Sequence, residues 1–270
     1  MALTAFQIKI LRLLSNRRKR EGVSYIAGGV ALNKALDTPR RSRDIDVFHD
    51  TTEALAAAWT ADRRCIENAG FLVEIHREAP SFIEATIGSK EDSVLIQWVR
   101  DSAFRFFPVI EDEILGLTLH PFDLATNKIL ALAGRLEPRD WIDTIECHRS
   151  LQPLGYLVWA SCGKDPGLNP SMLLAEASRA HYSQPEINAL DFAGNPPPCA
   201  ELSSQWKHAV SAARETVDLL PGDHLGECIV NAEGMLYHGD AHQLVCDLKK
   251  GSIRFHKGSI GGVWPRLVRR

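Results

Sequence analysis

The sequence predicts an α+β protein, and three observations predict it. Up to about residue 100, apolar or alternating runs that suit strands are interleaved with helical patterns. From residue 121 to about 220 helix formers dominate. After Pro221-Gly222 the chain breaks into short β-like runs separated by glycine-bearing turns. Three regions follow: 1–120, a helical 121–222, and a small β region, 223–270.

Ala5 to Arg20 sets Phe6, Ile10, Leu13 and Leu14 at helical spacing and ends in Arg17-Arg18-Lys19-Arg20. Cations in a last turn complement the helix dipole, so this run reads as a solvated helix end. Val23 to Ala27 is an apolar strand closed by Gly28-Gly29, and Val30 to Leu36 is helical. Arg43 to Phe48 is the second strand. Side chains alternate along it, so Asp44 and Asp46 share one face while Ile45 and Val47 enter the core. Thr51-Thr52-Glu53 caps an alanine-rich helix that ends near Gly70. Phe71 to His76, Ser81 to Ile87 and Ser93 to Val99 are three more strands, with Gly88 to Asp92 as a hairpin turn. Pro121 and Pro138 start two helices of an αα-hairpin. Helices over Ser171 to Ala180 and Glu201 to Leu219 follow. Glu227 to Asn231, Gly234 to Tyr237, Gln243 to Leu248 and Ser252 to His256 then read as an antiparallel meander.

Composition excludes several classes. A net charge of −3 gives no general affinity for nucleic acid, so local clusters must carry any polyanion contact. Such clusters are Arg17 to Arg20, then Lys34 with Arg40, Arg41 and Arg43, and last Arg266, Arg269 and Arg270. The six cysteines form no C-x-x-C pair, which argues against structural zinc and for reduced, buried thiols. No stretch has the apolar length of a membrane span, and the N-terminus lacks the features of a signal peptide. A cytoplasmic protein is the expectation. His238-Gly239-Asp240-Ala241-His242 reads as a turn rather than a metal-binding helix, because glycine interrupts it.

The chemistry concentrates in residues 28 to 46. Two neighbouring carboxylates, Asp44 and Asp46, repel each other and suit a hard divalent ion such as Mg²⁺, which bridges carboxylates to phosphates. Gly28 and Gly29 let a phosphate chain approach the backbone, and the helix start after them offers N–H groups. Arg40 and Ser42 flank the acids and could touch a triphosphate. Lys128 and Arg135, seven residues apart on one helical stripe, could receive phosphates as charges. Asp140 and Asp143 lie in the first turns of the next helix, where the dipole alone favours acids.

The glycine pair followed by Asp44-Ile45-Asp46 resembles the nucleotidyltransferase superfamily, marked by a GG or GS turn and an hDhDh strand. It is most similar to the AbiEii/AbiGii branch of bacterial toxin–antitoxin and abortive-infection systems. That branch writes R-x-[ST]-x-D-[IL]-D, matched by Arg40, Ser42, Asp44 and Asp46, then a lysine helix (Lys128), an arginine (Arg135) and R-D-x-x-D (Arg139, Asp140, Asp143). The matches bracket residues 23 to about 150. The resemblance implies a mixed sheet with flanking helices and Mg²⁺-dependent transfer of NMP from an NTP, with Mn²⁺ as an alternative ion. It implies Asp44 and Asp46 as catalytic metal ligands, and Gly28, Gly29, Arg40, Ser42, Lys128, Arg135 and Asp140 as nucleotide contacts. It further implies a toxin acting on tRNA or protein, with a cognate antitoxin as partner. The superfamily carries a third acid on a later strand, and the aligned position here is Gln97; Glu84, Glu74 and Asp101 are alternative acids. A nucleotide-binding regulatory module and a small-molecule nucleotidyltransferase are the rival readings.

Overall fold

The computed structural model describes residues 3–266, and Arg269 and Arg270 of the basic tail lie outside them. The first elements in chain order are α1 (Ala5–Glu21), β1 (Tyr25–Ala27), α2 (Gly28–Ala35), β2 (Asp44–His49) and α3 (Thr52–Asn68). Then come β3 (Leu72–Ala79), β4 (Phe82–Gly88), β5 (Ser93–Arg100), β6 (Phe104–Arg105), β7 (Ile110–Asp112) and β8 (Gly116–Thr118). The helices α4 (Pro121–Arg135), α5 (Pro138–Ser150), α6 (Leu154–Ser161), α7 (Pro170–Ser178), α8 (Gln184–Asn188) and α9 (Cys199–Leu219) follow. The chain closes with β9 (Cys228–Asn231), α10 (Ala241–Lys250), β10 (Ile253–His256) and β11 (Ser259–Ile260). These elements fall into two compact units.

The first unit holds the chain through Ala103 together with Val109–His120 and Asp191–Gly194. Its seven strands run β3-β4-β5-β2-β1-β8-β7. The β2–β5 and β1–β8 pairs are parallel and the others antiparallel, so the sheet is mixed. Burial alternates along β2, β4 and β5. Ile45, Val47, Ile83, Ala85, Ile87, Val94, Ile96 and Trp98 are buried, and α3 packs on β2, β3 and β5. Trp59 of α3 meets Trp98 edge-on at 4.7 Å. Asp62, wholly buried, accepts from Trp98 Nε1 at 2.9 Å and pairs with Arg17.

That pairing, with the burial of Arg18, corrects the reading of Arg17 to Arg20 as a solvated helix end for its first two residues, while Arg20 stays exposed. Arg18 is buried and donates to the Leu115 carbonyl at 2.7 Å, so it ties α1 to the segment entering β8. Helix α2 also begins earlier than its sequence pattern, at Gly28 itself. Strands β7 and β8 were not assigned from the sequence, each being three residues long, although Leu115, Leu117 and Leu119 alternate through β8 and are buried.

The second unit comprises Phe104–Pro108, Pro121–Leu190 and residues from Asn195 onward. Helix α6 is buried along its whole length, and α9 packs beside it, with Gly155 against Thr216. Two small antiparallel sheets, β9–β10 and β6–β11, complete the unit. Two stretches depart from the expected meander. Gln243–Leu248 forms a helix, not a strand, with the Asp240 carboxylate capping the Gln243 N–H at 2.8 Å and Gly251 closing it in a left-handed conformation. Gly234–Tyr237 contributes only an isolated bridge between Val230 and Leu236. All six cysteines are free. Among the described residues no helix is long and apolar enough to cross a membrane.

Candidate functional site

The pairing of β1 with β2 builds the centre of the site. Ala27, the last residue of β1, lies opposite Asp46, and the chain enters α2 at the next residue. Gly28 therefore passes directly by the Asp46 carboxylate. A Cβ on Gly28 would lie 1.8 Å from Asp46 Oδ2, and the backbone there is left-handed, with φ +64°. Both facts demand glycine. A Cβ on Gly29 would lie 2.7 Å from Ser42 Oγ and 2.9 Å from Arg40 Nη2. The two glycines thus answer two separate approaches, Asp46 on one and Ser42 with Arg40 on the other. Five of the residues singled out from the sequence meet at one turn. Ala27, at the N-cap, has no side chain that could cap the helix, and such a helix start suits an anion.

Asp44 and Asp46 are half-buried, between the buried Ile45 and Val47, as the alternation predicts. Across the sheet Asp46 lies in register with Gln97 of β5, and Gln97 with Glu84 of β4. Gln97 Nε2 donates to Glu84 Oε2 at 2.7 Å. Asp44 lies opposite Leu95. Among the described residues no three acids, histidines or cysteines gather at a metal-binding distance. Two carboxylates beside a turn whose left-handed first residue requires glycine still fit Mg²⁺, which keeps several waters and takes one or two carboxylates with substrate phosphates.

Two supports for this turn escaped the sequence reading. Gln7 of α1, buried, donates from Nε2 to the Ser42 carbonyl at 2.7 Å while its Oε1 accepts from the Thr4 N–H at 2.9 Å. The capping-box spacing Thr4-x-x-Gln7 was the available signal, though not for the contact with Ser42. Residues 191–194 pair with the loop before β2: the Arg41 N–H donates to Asp191 O at 2.9 Å and the Ala193 N–H to Pro39 O at 2.7 Å. Nothing in the sequence marks that return. A cavity of about 740 Å³ runs along α3, lined by Ala56, Thr60, Arg64 and their neighbours, and holds none of the candidate residues.

In the second unit the structure brings Lys128, Arg135, Asp140 and Asp143 together. Lys128 Nζ lies 2.8 Å from Asp140 Oδ1 and 3.1 Å from Asp143 Oδ2, and Arg135 Nε lies 2.6 Å from Asp140 Oδ2. Lys128 and both acids are buried. Burial pushes the Asp140 carboxyl up, but Arg135 and Lys128 together hold it below its ordinary value of 3.8. Lys128 is not an exposed helix cation. It neutralises two acids inside the α4–α5 hairpin.

No family model matches the chain, and no curated protein matches it. Solved structures are similar to it, two of them from Helicobacter pylori. One, described as a "putative nucleotidyltransferase from H. pylori", is 12% identical and aligns over 81% of this chain and 99% of its own, with a TM-score of 0.51. The other, JHP933 from Helicobacter pylori, is 11% identical and aligns over 80% of this chain and 95% of its own, also with a TM-score of 0.51. At such identity the likeness is one of fold: this chain has a nucleotidyltransferase-like fold.

Proposed function

We propose that this protein transfers a nucleoside monophosphate from an NTP to an acceptor and releases pyrophosphate, with Mg²⁺ or Mn²⁺ as its ion. One observation carries the reading. Asp46 fills one flank of the Gly28-Gly29 turn and Ser42 with Arg40 fills the other, so a carboxylate, a guanidinium, a hydroxyl and a helix start converge. That set suits a phosphate chain with its cation. Asp44 and Asp46 would hold the ion. When bound, it would offset the charge on the phosphates and lower the pKa of the attacking hydroxyl. The first turn of α2 would donate N–H groups to phosphate oxygens, with Arg40 and Ser42 beside it. In the transfer, the acceptor oxygen bonds to the α-phosphorus, the bond to pyrophosphate breaks, and the acceptor proton passes to solvent.

The finer parts of the proposal rest on the motif resemblance. They are a tRNA or protein acceptor, a toxin role with a cognate antitoxin, and phosphate contacts from Lys128, Arg135 and Asp140. A phosphate on Lys128 would have to share it with Asp140 and Asp143.

A second reading has its own support. Gln97 stands opposite Asp46 where the superfamily has an acid, and the described residues hold no three-acid cluster. On this reading the chain binds nucleotide without turning it over. The test uses the full chain with each of the four NTPs, radiolabelled at the α-phosphate, Mg²⁺ and cell extract. Transfer predicts labelled RNA or protein that disappears in Asp44→Ala/Asp46→Ala. Binding of an NTP with no label in any fraction selects the second reading, and label that survives in a folded double variant would overturn the assignment of the acids.

A further inference from the structure

We propose that Glu84 is a positioning residue: it orients the Gln97 amide so that the amide oxygen, a neutral ligand, faces the ion held by Asp46. The inference rests on the metal-site reading of Asp44 and Asp46 and deepens it.

The register places Glu84, Gln97 and Asp46 in one row across β4, β5 and β2, with Gln97 between the two acids. Row neighbours point to the same face of a sheet, with strands about 4.8 Å apart. A primary amide has a donor end and an acceptor end, whereas an ionised carboxylate only accepts. The 2.7 Å contact between Gln97 and Glu84 must therefore use the amide nitrogen. Rotation of the amide by half a turn would set Oε1 against a carboxylate oxygen, so the carboxylate fixes the orientation. With Nε2 committed to the Glu84 side, Oε1 is presented toward the Asp46 side. A hard cation accepts amide oxygens as well as carboxylates. The row thus offers the ion a neutral oxygen where a third acid would add charge, and the distant carboxylate acts only through the amide.

An alternative gives Glu84 no orienting role: its charge would simply attract a cation through space. A double-mutant cycle separates the two. The full chain is titrated with Mn²⁺ alone, the free ion being followed by electron paramagnetic resonance, with circular dichroism as the check on folding. In the wild-type background, Glu84→Gln can leave the residue 97 amide in either orientation, and Mn²⁺ affinity should fall about tenfold, as for other outer-shell partners of metal ligands. In a Gln97→Asp background both oxygens of the new ligand are equivalent and need no orienting. There, Glu84→Gln removes a like charge beside it, and affinity should stay the same or rise. An equal fall in both backgrounds would overturn the proposal in favour of simple attraction. No fall in the wild-type background, with Asp44→Ala/Asp46→Ala still abolishing binding, would overturn it while leaving the metal site standing. Equal Mn²⁺ binding by wild type and Asp44→Ala/Asp46→Ala would remove the metal site, and this proposal with it.

Discussion

His49 ends the strand that carries Asp44 and Asp46, but it points the other way, into the core. Its ring is fully buried, and Nδ1 lies 3.3 Å from the Val99 carbonyl, which it meets as a donor in the neutral form. Its Nε2 is buried without a partner, so a second ring proton would be stranded in the core. Burial accordingly pushes its pKa down from 6.5 to about 4, against the Val99 carbonyl and Asp62, which favour the proton, while Arg18 and Arg17 oppose it. Unfolded, the same ring titrates near 6.5, so between these values the unfolded chain binds more protons than the folded one. Stability from His49 is therefore complete above about pH 6.5, falls as the pH drops, and is fully lost near 4, a change on the order of 3 kcal/mol. Urea unfolding across that window should show the loss in wild type and a flatter profile in His49→Asn. Parallel profiles would mean the ring is not held neutral. The alternation that turns His49 inward was legible from Asp44-Ile45-Asp46-Val47 alone. The close approach at Gly29 was not, because Ser42 and Arg40 reach it from beyond α2.

At the scale of elements, the α4–α5 hairpin shows where a motif can be legible while its physics is not. Spacing put Lys128 and Arg135 on one stripe, and the next helix supplied Asp140 and Asp143 in its first turns. What spacing could not show is that the stripe faces the partner helix, so that the cation and acids bury one another. Removing one member of such a set leaves uncompensated charge inside the protein, whatever the set does for a ligand. Lys128→Ala should cost about 3–5 kcal/mol in denaturant unfolding, and Lys128→Met/Asp140→Asn/Asp143→Asn should recover part of it. A loss near zero would show that the acids find other partners, and would free Lys128 for a role in binding alone. The α10 helix was hidden for a different reason. Leu244, Cys246 and Leu248 alternate like a strand, and only Leu244 is buried. The Asp240 cap, the lysines of the last turn and Gly251 were present as helix signals, but the period-2 pattern outweighed them.

Across the whole molecule, β2, β4 and β5 were readable because one face of each is buried, and burial writes its period into the sequence. The return of residues 191–194 to the first unit was not, since backbone hydrogen bonds fix it and leave no periodicity, and that of residues 109–120 is marked only by the short alternation of Leu115, Leu117 and Leu119. The candidate site was legible in its local half, Gly28 to Asp46, which the fold brings to one turn, and illegible in its supports, Gln7 and the 191–194 segment. Global charge offers a nucleotide no help: at −3 the chain repels polyanions on average, so the proposed affinity would have to come from a local cation, the two acids and the glycine turn. Binding should therefore depend on the metal and on those residues, and it should appear as linked stability before any acceptor is known. A ligand at a hundred times its Kd stabilises the folded state by about 2.7 kcal/mol. For a chain of this size each kcal/mol is worth roughly 2–4 °C, so the preferred NTP with Mg²⁺ should raise the Tm by about 5–10 °C. The same NTP with chelator, or Asp44→Ala/Asp46→Ala with NTP and Mg²⁺, should show little shift. A shift that persists in a folded double variant would place nucleotide binding elsewhere. If none of the four NTPs moves the wild-type transition at saturating Mg²⁺, the nucleotide reading fails for enzyme and binding module alike.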